Sequence, residues 1–420
     1  MDRAISGETG GAAERDPPLS TPVAPPRLSH GLVLILALAC GASVATIYFP
    51  QAITPLIATG LGATPEAAAG AVTAAQLGYA AGLFLLVPLG DRLPHRPLVA
   101  TLLLLTTIAL VGASQAPNLP VLVGASALAG LTTVVPQILL PMAAGLTGPD
   151  RRGAVTGTLL AGLLGGILLA RTFGGALGEH FGWRAPYMTA AALVLLLAAV
   201  LARVIPRTIP TSSQRYPALI AASLALLRDE PDLRRSCLYQ ALTFGGFSAA
   251  WTSLALFLGG SVYAVGGQAV GLIALVGAGS VLCTPIVGRW IDRSGPDPIN
   301  LLCFFGVIAS TAILAAGLRG GAFGLAALTL GMLLLDVAVQ CGQAANQARI
   351  FALRSDARSR LNTAYMTCVF LGGSAGSWIG VKTYALWGWG GVCGAIAAAA
   401  VIALARSLAH RRRQQRDRSA

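Results

Sequence analysis

Apolar residues run through this chain in long blocks, not in the short periods of a water-soluble fold. A helix that crosses a bilayer needs about 20 mostly apolar residues. Blocks of that size lie near residues 31–56, 67–89, 97–115, 120–146, 154–178, 184–205, 237–259, 264–288, 299–318, 321–347, 363–384 and 388–408. They predict an all-α polytopic membrane protein with twelve transmembrane helices. The polar positions gather in short connections rich in Gly, Pro, Asp and Arg. Residues 1–29 are polar and carry Pro17, Pro18, Pro22, Pro25 and Pro26, which predicts a disordered tail. No short apolar stretch with a cleavage site precedes the first block, so this tail does not read as a signal peptide.

Arginine separates the connections into two sets. The even-numbered ones carry Arg92 and Arg96, then Arg151 and Arg152, then a run from Arg207 to Arg235, then Arg289 and Arg293, then Arg354, Arg358 and Arg360. The odd-numbered ones hold Arg184, Arg319 and Lys382. Basic residues accumulate on the cytoplasmic side of a membrane protein. The N- and C-termini and the even loops are therefore expected in the cytoplasm, together with a basic C-terminal tail over 409–420. The longest connection, 206–236, contains apolar positions on a helical period from Pro217 to Leu227 and predicts a short helix on the membrane surface.

Composition agrees with this map and closes off other classes. Of the 420 residues 55% are hydrophobic and 11% charged, against about 25% charged in a soluble domain. A disordered chain is excluded by the apolar content. The net charge of +13 is accounted for by orientation and attraction to anionic lipid, and no nucleic-acid partner is expected. The seven cysteines, Cys40, Cys237, Cys283, Cys303, Cys341, Cys368 and Cys393, form no CxxC pair and read as small packing residues. Metal ligation and disulfides are not expected.

The connections also repeat. The loop Gly90-Asp91-Arg92-Leu93-Pro94-His95-Arg96 has a counterpart in Gly288-Arg289-Trp290-Ile291-Asp292-Arg293-Ser294-Gly295. The loop with Arg151 and Arg152 leads into a glycine-rich helix and Gly182-Trp183; the loop with Arg358 and Arg360 leads into another and Gly388-Trp389. A repeat of this kind predicts two six-helix lobes, 30–205 and 237–408, that rock about a site between them.

With these motifs the chain resembles the major facilitator superfamily over residues 31–408. The family's signature between helices 2 and 3 runs Gly-x-Leu-x-Asp-Arg-x-Gly-Arg-Lys. The second copy keeps Gly288, Asp292, Arg293 and Gly295; the first keeps Leu89, Asp91, Arg92 and Arg96 and departs at Val87 and Pro94. The resemblance implies a cytoplasmic gate. Asp91 would face the start of helix 11 near Asn362, and Asp292 the start of helix 5 near Gly153. Arg92, Arg96, Arg152, Arg293 and Arg360 would complete its charges. Turn caps and topology signals are the plainer role for the same residues. The segments around Gln76–Gly82 and Leu335–Arg349 are similar to the bacterial efflux-permease branch, which includes proton-driven drug and sugar exporters. That branch implies a monomer in the bacterial inner membrane. In helix 5, Gly166, Gly174 and Gly175 keep the frame of the antiporter motif, while Ala170 and Arg171 stand where its Gly-Pro would be.

Two charges fall well inside predicted spans, Asp336 and Arg171. Ionisable groups at such depth are costly in lipid and face a cavity or a partner. Asp336 reads as a proton carrier or as a fixed packing partner. Arg171 reads as an anion binder, as a partner of Asp336, or as a side chain snorkelling to the outer interface. In the superfamily helices 1, 4, 7 and 10 line the central cavity. Tyr48, Gln51, Gln76, Tyr79, Gln137, Tyr239, Gln240, Trp251, Gln340, Gln343, Asn346 and Gln347 are candidate lining residues. On helix 10, Asp336, Gln340, Gln343 and Gln347 share one face by spacing. Trp183, Trp387 and Trp389 near the outer ends suggest an interface belt.

These features predict a secondary-active transporter that exports a small organic solute by alternating access, with protons as coupling ion. Proton-coupled uptake by the same fold stays open. No nucleotide-binding Gly-x-x-x-x-Gly-Lys-Ser occurs, and no cofactor is expected. A polytopic membrane enzyme is disfavoured because His30, His95, His180 and His410 are scattered. A passive channel is the remaining class.

Overall fold

A computed structural model describes residues 28–206, 208, 214–277, 279–354 and 357–419. The expected disordered tail lies outside the described residues except for Leu28 and Ser29, and the Cys283 side chain is also outside them. Helices account for the architecture in the order α1 His30–Leu61, α2 Pro65–Ala68, α3 Gly70–Leu85, α4 His95–Ser114, α5 Leu119–Thr132, α6 Val135–Gly145, α7 Pro149–Phe181 and α8 Arg184–Val204. There follow α9 Tyr216–Asp229, α10 Pro231–Leu258, α11 Gly267–Gly277, α12 Ser280–Ser294, α13 Pro296–Ala315, α14 Gly321–Leu353 and α15 Arg358–Ser419. No strand occurs among the described residues.

Ten helical stretches among the described residues are long and apolar enough to cross a membrane. Two features separate this number from the twelve blocks in the sequence. The eighth block is divided between α11 and α12 on either side of residue 278, and neither piece is long enough alone. The last two blocks follow one another without an intervening loop over the 62 residues Arg358–Ser419. At a rise of 1.5 Å per residue a straight helix of that length would be about three times the thickness of the hydrocarbon core. Gly388 breaks it with φ 61° and ψ −157°, a backbone geometry open essentially to glycine alone. The predicted spans 363–384 and 388–408 are the two arms that meet there.

Proline divides the fourth block. Pro136 has no N–H to offer the Thr132 carbonyl, so α5 ends at Thr132 and α6 begins at Val135. The freed residue is put to use, since the Thr133 hydroxyl donates to the Ser43 carbonyl of α1 at 2.7 Å. Pro50 and Pro55, in contrast, lie inside an uninterrupted α1.

Lipid tails are as apolar as leucine, so helices in a bilayer associate through close packing rather than hydrophobic exclusion. The closest pairs here meet glycine to backbone. At the α1–α7 crossing a methyl group on Gly166 would collide with the backbone of Gly41. At the α10–α15 crossing Gly376 meets Gly245 in the same way. The central connection supplies α9, whose Leu219, Ser223 and Leu226 are turned into the protein. It packs on α10 and α15, and the Tyr216 hydroxyl donates to the Leu85 carbonyl at 2.6 Å.

Gly388→Val is expected to destabilise the protein by ~1–3 kcal/mol, the cost of forcing a side chain into this backbone region. Gly394→Ala, at a position with no atom within 4 Å of the added methyl, should leave the detergent melting temperature unchanged. Equal melting temperatures for both variants would refute the role given to Gly388.

Candidate functional site

Helical spacing brings pairs of side chains to one place at mid-depth. Tyr48 and Gln51 are three residues apart on α1, and Phe247 and Trp251 four apart on α10, so each pair shares a face. Between these faces lies Arg171 of α7. Its Nε donates to Gln51 Oε1 at 2.9 Å. Its guanidinium carbon lies 4.0 Å from the centroid of the Trp251 ring, 5.0 Å from that of Tyr48 and 5.8 Å from that of Phe247. Aromatic faces attract a cation through their ring quadrupole, more so where water is excluded. Arg171 is 1% exposed, so its side chain stays in the interior and does not snorkel.

Asp336 of α14 meets the N–H edge of the same indole. Trp251 Nε1 donates to Asp336 Oδ1 at 3.1 Å, while Oδ2 faces Gly277 of α11. The carboxylate is 5% exposed. Arg171 and Asp336 do not pair directly. The ion pairs among the described residues join Asp232, Arg235, Asp297 and Arg349. Trp251 therefore touches both buried charges. Two buried donors at this place, Arg171 Nη2 and Gln51 Nε2, have no hydrogen-bond partner.

A seam closes the bundle between this cluster and the end that carries connections 61–65 and 258–267. The Ser377 hydroxyl donates to Gln76 Oε1 at 3.0 Å and the Ser374 hydroxyl to the Thr73 carbonyl at 3.1 Å. Tyr79, hydrogen-bonded to Gln137, packs edge-on to Phe370 at 4.4 Å. On the opposite flank the Thr172 hydroxyl donates to the Gly271 carbonyl at 2.9 Å. The Gln268 backbone N–H donates to Glu179 Oε1 at 3.0 Å. Apart from the Tyr79–Gln137 bond, each contact joins a helix before the central connection to one after it.

Toward the arginine-rich end, Gln340, Gln343 and Gln347 continue from Asp336 along α14, half-buried. Asp91 is half-buried there, with Arg360 as its opposing charge. Arg92 is exposed, Arg96 donates to the Ala202 carbonyl, and Arg152 donates to the Ala144 carbonyl at 2.9 Å. In the second copy of the loop Asp292 and Arg293 are exposed. Two lining candidates lie elsewhere on α10 and one on α14. Tyr239 packs edge-on to Phe304 at 5.2 Å. Gln240 and Asn346 bond to each other at 3.3 Å, and Asn346 exchanges hydrogen bonds with Asn300 of α13.

Sequence reasoning passed over Arg349. It pairs with Asp297, donates to Ser236 at 3.3 Å and to Asn346 at 3.2 Å, and is almost sealed from solvent. The signal was an arginine one turn beyond Asn346; α14 runs to Leu353, past the predicted end at 347. The tryptophan belt requires correction. Trp183 and Trp389 are buried, and of the three only Trp387 is exposed. Trp389 stacks on Phe257 at 4.8 Å and donates to the Leu314 carbonyl at 2.8 Å, and Trp183 fills the space left by the absent side chain of Gly60.

The sequence matches the model of the Major Facilitator Superfamily over residues 34–376. It is 37% identical to the uncharacterized transporter YgaY of Escherichia coli O157:H7 over 377 residues, 90% of this chain and 95% of that protein. It is 36% identical to a probable transporter of Streptomyces coelicolor over 362 residues, 86% of this chain and 83% of that one. Among solved structures it resembles a mutant of the nucleoside transporter NupG, with a TM-score of 0.71 at 15% identity, covering 90% of this chain and 99% of that one. It also resembles a mutant of the peptide transporter POT in complex with alafosfalin, with a TM-score of 0.71 at 14% identity, covering 91% and 96%. At these identities the two structures speak to the fold alone.

Arg349→Met would leave Asp297 with Arg235 as its remaining partner and strand the Asn346 amide oxygen in part. The expected cost is about 2 kcal/mol, below that of a fully sealed pair because Asp297 is partly solvated. In denaturant titrations of the purified protein, combining it with Asp297→Asn should cost less than the sum of the single changes. Strict additivity would show that the two residues act independently.

Proposed function

The chain belongs to the major facilitator superfamily of transporters, and from that premise we propose that it exports a small organic solute across a bacterial inner membrane in exchange for protons. The chain itself is a multi-pass membrane transporter. The observation that carries the finer reading is the bridge Arg171–Trp251–Asp336. It joins α7, from the first half of the sequence, to α10 and α14 from the second.

Counting α11 and α12 as one interrupted span and the arms of α15 as two restores twelve spans. On this reading they form two six-helix lobes, 30–205 and 237–408, with both termini in the cytoplasm. The seam at Gln76, Thr172 and Glu179 then closes the outer side. The half-buried amides Gln340, Gln343 and Gln347 form a path from the cytoplasm to Asp336.

Asp336 is the proton carrier in this scheme. Ionised, it accepts the Trp251 N–H and faces the field of Arg171, which holds the lobes together at mid-depth. A proton on Asp336 removes that charge, weakens the bridge and lets the lobes rotate. Solute and proton exclude one another at the carboxylate, which makes the exchange obligatory. Asp91 with Arg360, and Asp292 with Arg293, are the two halves of the cytoplasmic gate. In this conformation the first is engaged and the second is open to solvent.

The test uses solutes that stabilise the purified protein in a thermal-shift screen, loaded into proteoliposomes. An inward proton gradient should drive their efflux, and an uncoupler or Asp336→Asn should abolish it. Asp91→Asn should slow efflux severalfold without lowering membrane insertion. Efflux that ignores the gradient and survives Asp336→Asn would sink proton coupling; efflux unchanged in Asp91→Asn would remove the gate.

A further inference from the structure

The bridge at mid-depth leaves specific valences open. Arg171 spends its Nε on Gln51 Oε1 and its flat faces on rings, but its Nη2 donates to nothing. The neighbouring Gln51 Nε2 is idle as well. Both residues are effectively sealed from solvent, where an unpaired donor carries its full desolvation cost. One donor on a buried cation and one on the amide bonded to it suit the two oxygens of one carboxylate.

The anionic end is also only part used. Trp251 occupies Asp336 Oδ1. Oδ2 faces α11 at a residue without a side chain, and a methyl group at Gly277 would fall 2.5 Å from it. Oδ2 therefore packs closely on the α11 backbone, and a side chain at 277 would push the carboxylate aside. Guanidinium and carboxylate form no direct ion pair, and the indole contacts both.

Charge balance narrows the ligand further. One buried cation and one buried carboxylate make a neutral site. With Asp336 ionised, a simple anion at Arg171, or a simple organic cation at Asp336, would leave a net charge sealed in the bundle, which is strongly disfavoured. A solute that brings both signs leaves the site neutral and fills both sets of open valences. We propose that the transported solutes are amino-acid-like zwitterions. Their carboxylate binds Arg171 Nη2 and Gln51 Nε2, and their ammonium binds the Asp336 carboxylate. This rests on the transporter reading above and deepens it: the ammonium and the exchanged proton compete for the same carboxylate. The rings of Tyr48 and Phe247 around the guanidinium favour an apolar or aromatic side chain on the solute.

The experiment reads binding to the purified full-length protein in lipid nanodiscs, by thermal shift and isothermal titration, with no proton gradient. Leucine, phenylalanine and threonine are each compared with the matching amide, which lacks the carboxylate, and the matching deaminated acid, which lacks the ammonium. At least one amino acid should bind about tenfold or more tighter than both of its partial analogues. Arg171→Gln and Asp336→Asn should each abolish that preference. Arg171→Lys, which keeps the charge but loses the planar fork, guards against a folding defect and should weaken binding without removing the preference for a carboxylate. Gly277→Ala should selectively weaken ligands that carry an ammonium. Tightest binding by an amide marks a cationic substrate and overturns the proposal; tightest binding by a deaminated acid marks an anionic one and does the same. Equal or absent binding across the panel also overturns it. Because no gradient is applied, these failures leave proton coupling standing. Zwitterion binding with gradient-independent efflux would instead fail the coupling and keep the substrate class.

Discussion

A guanidinium shut away from water inside a membrane protein must be held by whatever surrounds it. Here the holding group is an indole. Trp251 offers its face to Arg171 and its N–H to Asp336, so one rigid ring answers both buried charges. Charged groups at this depth are tolerated only when paired or facing a cavity, and a direct pair would have been the simpler solution. The protein instead sets one ring against both charges. The result is a cation and a carboxylate that neutralise one another at a distance while keeping sides free for chemistry.

That arrangement needs walls that do not give. Glycine contacts bring α1 against α7 and α10 against α15; three of these helices carry Gln51, Arg171 and Trp251. Backbone-to-backbone packing leaves little slack, because no flexible side chain lies between the axes. The polar seam differs in kind. Gln76 with Ser377, Thr172 with Gly271, and Glu179 with Gln268 are single hydrogen bonds across the two halves. Each is worth about 1 kcal/mol net, a scale suited to contacts that part and re-form.

Much of this could be read from the residues. Long apolar blocks and the arginine pattern pointed to the helical membrane fold, and the rarity of charge inside the blocks singled out Asp336 and Arg171. What could not be read was which way each helix is turned. Periodicity placed Gln340, Gln343 and Gln347 with Asp336, and these three amides do form one half-buried strip. It gave no warning that Asn346, about a quarter-turn round the same helix, spends its amide on Asn300 and Gln240. Trp183 and Trp389 looked like interfacial residues by depth alone; their burial follows from partners on other helices, Gly60 in one case and Phe257 in the other. Arg349 was hidden by a helix end placed six residues early, and Gly388 by an apolar block that continues unchanged in composition while the backbone kinks.

The far arm of α15 does not stop where its apolar residues do. It stays helical to Ser419, so Arg411, Arg412 and Arg413 ride on a stiff extension of a span rather than on a loose strap. A basic cluster near anionic lipid gains about 1 kcal/mol per residue within a Debye length. On a rigid arm that gain depends on angle: tilting the helix lifts or sinks the cluster as a unit. The extension thus acts as a keel, and the ease with which this half of the molecule leans becomes a property of the membrane's charge as well as of the protein.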